Sequence, residues 1–151
     1  MALKEDVKKN FGDNVMLTAN AVIDKSLITI PVSPALDIVL NGGIPEGSFV
    51  IFTGQPKCGK TTTSLDFCAT AQKKEYAHGS FKDGREVYYL NIEGRLKKRD
   101  LEGIPGLNLE KFNIIGSQEG KILHAEEYLQ IGERIINEIP GSVVIIDSYS
   151  A

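Results

Sequence analysis

Apolar positions along this chain change period several times, and each change marks an element. Leu3, Val7 and Phe11 fall at helical spacing with Lys4, Glu5, Lys8 and Lys9 on other faces, which predicts a helix over Ala2 to Phe11 closed by Gly12. A short apolar stretch, Leu27 to Ile30, stops at Pro31. Ser33-Pro34 then opens a short helix, Ala35 to Leu40, with serine at the cap and proline in the first turn. Asn41-Gly42-Gly43 ends it, and Pro45-Glu46-Gly47 reads as a turn.

Beyond that turn, Phe49-Val50-Ile51-Phe52 makes the run Ser48 to Thr53 continuously apolar, as in a strand covered on both faces. A helical pattern follows from Lys60 to about Lys74, then a polar, glycine-containing loop from Tyr76 to Gly84. Glu86 to Ile92 and Phe112 to Ile115 read as further strands. Tyr128, Leu129, Gly132, Ile135, Ile136 and Ile139 share one face of a helix over Ala125 to Ile139. Pro140-Gly141 breaks that helix before a last strand, Val143 to Ile146, which ends at Asp147. Strands alternating with helices predict an α/β fold, a mainly parallel sheet with helices on both faces. A parallel domain seldom stops right after a core strand, so the expectation is the front part of a longer protein.

Composition narrows this reading little. The chain has 151 residues, 42% hydrophobic and 25% charged, enough for one packed domain. Its net charge of -3 gives no overall electrostatic footprint for nucleic acid, so any such surface must be local. No apolar run is long enough to span a bilayer, and the N-terminus does not read as a secretory signal. Cys58 and Cys68 are too close for a disulfide framework, and two histidines with two cysteines lack zinc-ligand spacing. A cytoplasmic protein is expected, host cytoplasm if viral.

The chemistry concentrates between the apolar run and the helix after it. Gly54-Gln55-Pro56-Lys57-Cys58-Gly59-Lys60-Thr61 matches G-x-x-x-x-G-K-[ST] in full, with strand before and helix after. Glycines at its ends let backbone N–H groups approach phosphate oxygens, and the positive end of the following helix faces the same anion. Lys60 is expected on the β- and γ-phosphates of a nucleoside triphosphate, ATP, and Thr61 on Mg²⁺. Asp147, at the carboxyl end of a buried parallel strand, is the candidate second Mg²⁺ residue. Glu93 ends its strand in the same manner. If that strand neighbours the one before the loop, Glu93 can polarise the attacking water. Otherwise it is a surface carboxylate. Cys58, between Lys57 and Lys60 near a helix N-terminus, is either a reactive thiolate or a small residue tolerated at a variable position. Arg95, Lys97, Lys98 and Arg99 form a basic cluster that can meet nucleotide or nucleic acid, or simply face solvent.

Several phrases together resemble the RecA recombinase family. These are Phe11-Gly12-Asp13, the stretch Ile30 to Leu40, Gly42-Gly43-Ile44-Pro45-Glu46-Gly47, and the phosphate loop followed by Thr62. Ile114-Ile115-Gly116-Ser117-Gln118 and Ile145-Ile146-Asp147-Ser148 continue the series. The resemblance implies a RecA-like P-loop ATPase core that ends after its Mg²⁺ strand. It places Glu93 at the family's catalytic glutamate and implies DNA-dependent ATP hydrolysis, self-association into filaments, and single-stranded DNA as partner. Residues 1–26 then form an N-terminal helix and linker, with Leu3, Val7 and Phe11 as a docking face for the next protomer or for their own domain. Residues 27–151 form the first part of the core. The sequence departs from the family in lacking a glycine at Val32–Ser33, and in lacking the histidine and base-stacking aromatic after Glu93. Its longer Tyr76–Gly84 loop points to a bacteriophage version. The family's DNA-binding loops and γ-phosphate-sensing residues follow the Mg²⁺ strand and are not in these residues. A hexameric helicase or clock-type ATPase shares the same core, and a non-catalytic ATP-binding module is the reading from another class.

Overall fold

The computed structural model describes residues 2–12, 15–16, 18–20 and 28–148. Leu27, Asp13 and most of the expected linker lie outside the described residues. The observed elements are α1 (Ala2–Phe11), β1 (Thr29–Ile30), α2 (Pro34–Val39), β2 (Ile44–Pro45), α3 (Lys60–Ala71), β3 (Val87–Asn91), α4 (Lys98–Glu102), β4 (Phe112–Ile115), α5 (Ala125–Glu138) and β5 (Val143–Asp147). No helix among the described residues is long and apolar enough to cross a membrane.

The sheet has three parallel strands in the order β4-β3-β5, with Val87 opposite both Phe112 and Val143. Alternation along the central strand assigns its side chains to two cores. Val87 and Tyr89 pack with Leu65, Cys68 and Phe112 on the face covered by α3 and α4, where Leu101, Val143 and Ile145 close the cluster. Leu90 goes to the opposite face with Tyr128 and Ile135 of α5, joined by Tyr88, Val144 and Ile146. Both faces of the sheet are therefore covered, as the near-continuous apolar strands require. The antiparallel pair β1–β2 packs separately, its Ile30 lying with Val32 against Phe67 and Ala71 of α3.

Local chemistry sets the element ends. Ser33 caps α2 by accepting from the Leu36 amide, with Pro34 behind it. Helix α3 stops at Ala71, short of the expected Lys74: Lys73 turns extended (φ -70°, ψ 147°), and the Ala71 carbonyl accepts from the Arg85 amide at 3.2 Å. Gln72 is buried, donates to the carbonyls of Asn108 and Lys111, and accepts from the Asn108 amide. The Tyr76–Gly84 loop is held by Arg85, whose side chain is 3% exposed. Arg85 donates to the carbonyls of Tyr76 and Gly141 and pairs with Glu46 at 3.1 Å.

Two expectations are corrected. The run Ser48 to Thr53 is not a strand: residues 49–53 make no backbone–backbone hydrogen bond among the described residues, and Phe49 is 86% and Ile51 69% exposed. Apolar content supplies strand propensity, but a strand exists only beside a ladder partner, and none of the described residues provides one. The stretch after Glu93, for which no helix was expected, contains α4, started where Asp100 Oδ2 accepts from the Lys97 amide at 2.9 Å.

Candidate active site

The loop Gly54 to Gly59 leads directly into α3, whose first residue is Lys60. Gly59 occupies the N-cap with φ 92°, a left-handed conformation that an L side chain rarely adopts. Lys57 also has a positive φ, 64°, so successive amides turn into a concavity of the kind that holds anions. At Gly54 an added Cβ would come within 2.7 Å of Cys58 Sγ, so a side chain there would require Cys58 to change rotamer. Lys60 Nζ donates to the carbonyls of Gly54 at 2.9 Å and Gln55 at 3.0 Å, and lies 3.8 Å from Cys58 Sγ. Gln55, Pro56 and Cys58 are exposed along the loop, and Thr62 follows Thr61 in the first turn of α3.

Long-range packing brings the two candidate Mg²⁺ residues together. Thr61 Oγ1 donates to Asp147 Oδ2 at 2.9 Å, joining the start of α3 to the end of β5. The same Oδ2 accepts from the phenol of Tyr89, which is fully buried in the central strand. Burial first, and the Asp147 carboxylate second, push the Tyr89 hydroxyl well above its ordinary 10.0, so it remains a donor. A hydroxyl beside a carboxylate is a hard oxygen set that suits Mg²⁺, which takes one or two protein ligands and fills its shell with phosphate and water. Among the described residues no larger group of histidine, cysteine and acidic side chains could hold a metal by itself.

Glu93 arrives by a different route from the one expected. Its strand neighbours β4 and β5, not the run before the phosphate loop. Asn91 pairs with Asp147, and the Ile92 and Glu93 amides both reach the Asp147 carbonyl, at 3.0 and 3.4 Å. Glu93 therefore stands at the carboxyl edge beside Asp147 rather than directly beside the loop. Its Oε2 pairs with Arg95 at 3.0 Å, and its Oε1 accepts from the Ser148 hydroxyl. A cleft of about 330 Å³ lies alongside, lined by Thr61, Thr62, Asp147, Arg95, Arg99 and Ile104 among others.

The basic cluster is mostly paired: Arg95 with Glu93, Lys98 with Glu102 at 3.4 Å, and Arg99 with Asp100 at 3.6 Å. Sequence reading missed Tyr89 and Ser148. A tyrosine in a buried strand requires a partner for its hydroxyl, and that signal alone pointed to a polar group on an adjacent strand. Cys68, by contrast, is an ordinary buried thiol, pushed up to about 12 by burial.

Comparison with known proteins places this geometry in context. A family profile described as AAA domain matches residues 20–151. Among curated relatives named Protein RecA, the chain is 30% identical to that of Lactobacillus delbrueckii subsp. bulgaricus, over 99% of this chain and 41% of the relative. It is 30% identical to that of Aquifex aeolicus, covering 97% and 39%, and 31% identical to that of Acholeplasma laidlawii, covering 100% and 41%. The chain thus spans about two fifths of the length of the curated relatives it matches.

Proposed function

We propose that this chain, which belongs to the AAA domain family and has the core of a RecA-type ATPase, binds ATP with Mg²⁺ and serves ATP-dependent recombination on single-stranded DNA. The observation that carries the reading is the meeting of Thr61 and Asp147 at 2.9 Å beside the Gly54–Lys60 loop. Strand-end acid, helix-start hydroxyl and phosphate loop then address one small volume, as triphosphate chemistry requires.

In this reading the amides of Gly54 to Lys60 cradle the phosphates, and Lys60 exchanges its loop carbonyls for β- and γ-phosphate oxygens. Thr61 and Asp147 would hold Mg²⁺, with Tyr89 fixing the carboxylate from behind. When bound there, Mg²⁺ would supply neutralisation of phosphate charge. Glu93 orients the attacking water and takes its proton. Helix α1 exposes Leu3 (75%) and Phe11 (71%), an apolar stripe that suits docking on the next protomer of a filament.

ATP hydrolysis by the chain, measured with and without single-stranded DNA, tests this function. DNA-stimulated hydrolysis would exclude a non-catalytic ATP-binding module; ATP bound without turnover under either condition would support that module.

A further inference from the structure

We propose that Arg95 is a positioning residue that exchanges Glu93 for the terminal phosphate of the bound nucleotide and so reports triphosphate occupancy to the water-activating carboxylate. The inference rests on the ATP-binding reading above and goes beyond it, because neither the phosphate-loop motif nor the resemblance assigns Arg95 a role.

Three observations converge on it. Arg95 Nη1 lies 3.0 Å from Glu93 Oε2 while Ser148 occupies Oε1, so both oxygens of the carboxylate are engaged. The ion pair takes an acceptor site on Oε2 and holds that oxygen toward Arg95 rather than toward a water at the phosphate. The Arg95 side chain is 83% exposed, and an ion pair that exposed is weakly held and screened by salt. Finally, Arg95 lines the same cleft as Thr61, Thr62 and Asp147, the residues that would flank the phosphate and its cation.

A phosphate presents several charged oxygens where Glu93 offers Arg95 one, and guanidinium groups bind phosphate bidentately. A terminal phosphate on Lys60, in the cleft that Arg95 shares with Thr61 and Asp147, therefore competes successfully for the guanidinium. Glu93 Oε2 is released to water at the moment a hydrolysable bond is in place. With a diphosphate bound the competitor is missing, and Arg95 stays on Glu93. The device thus distinguishes triphosphate from diphosphate.

The test is a binding ratio. A fluorescent non-hydrolysable ATP analogue and the matching ADP analogue are titrated, in Mg²⁺, against wild type, Arg95→Ala and Arg95→Lys. Arg95→Ala is expected to weaken the triphosphate about tenfold and leave the diphosphate within about twofold. Arg95→Lys, which keeps the charge but not the fork, should fall between. An unchanged triphosphate-to-diphosphate ratio in Arg95→Ala would overturn the role, and so would equal weakening of both ligands. Wild type that binds neither analogue would overturn the phosphate-loop reading itself, and the exchange with it.

Discussion

The Thr61 hydroxyl and the Asp147 carboxylate meet at 2.9 Å although 86 residues separate them along the chain. The contact forms because α3 packs across the sheet through Leu65 and Cys68, which sets its first turn above the carboxyl end of β5. Replacing Thr61 by valine keeps the branched shape and removes the oxygen. The Mg²⁺ concentration needed to support nucleotide binding should rise by about tenfold or more, comparable with the loss of a metal-site partner. Titrating Mg²⁺ at fixed nucleotide checks this, and an unchanged midpoint would remove Thr61 from the metal site.

Tyr89→Phe probes the support behind that pair. The phenylalanine ring can keep the tilted packing on Phe112, whose ring centroid lies 5.7 Å away, while the donor to Asp147 is lost. Stability should fall by about 1 kcal/mol, the net worth of one hydrogen bond. Urea unfolding measures that term, and the Mg²⁺ titration shows whether Asp147 loses its orientation.

Arg85 ties together three segments that are distant in sequence. Its Nε and Nη1 bind the Tyr76 carbonyl, the Gly141 carbonyl and Glu46, all from a nearly buried position. Arg85→Met should destabilise the fold by about 2 kcal/mol. That lies below the usual effect of breaking a fully buried pair, because Glu46 remains 19% exposed and can be hydrated. Denaturant midpoints of the two proteins check the value.

Much of the fold was legible because its periodic segments carry the spacing of the elements they form. The helix at Ala2–Phe11 and the strand at Phe112–Ile115 appear at the residues their patterns predict, and α5 differs from its predicted range only at the last residue. The turn from Gly54 to Gly59 into α3 was legible as a motif, since its spacing reflects a local backbone requirement. What escaped depends on distant partners. Phe49 to Phe52 carries the composition of a core strand, yet strand formation is decided by a neighbour that composition does not supply. The short helix Lys98–Glu102 hides in a charged stretch whose structure depends on Leu101 reaching the core. Tyr89, Arg95 and Ser148 became informative only when the sheet order set β3 beside β5.

Stability should also depend on alkaline pH through Cys68. Burial raises this thiol from 9.0 to about 12, so the folded chain keeps a proton that the unfolded chain releases. The contribution is complete below pH 9.0 and is lost as pH rises toward about 12. In that window Cys68 steepens the decline by about 1.4 kcal/mol per pH unit. Denaturant unfolding from pH 8 to 11 should show a shallower decline for Cys68→Ala than for wild type, whatever the offset from the lost sulfur. Equal slopes would show that the thiol does not titrate differently in the two states.

The most direct test of the central claim is calorimetric titration of Mg²⁺-ATP into wild type and Lys60→Ala. Wild type should bind with a defined one-to-one stoichiometry, and Lys60→Ala should lose at least about tenfold in affinity, the loss of one charge-assisted phosphate contact. Undiminished binding in a folded Lys60→Ala would contradict the assignment of Gly54 to Thr61 as the nucleotide site.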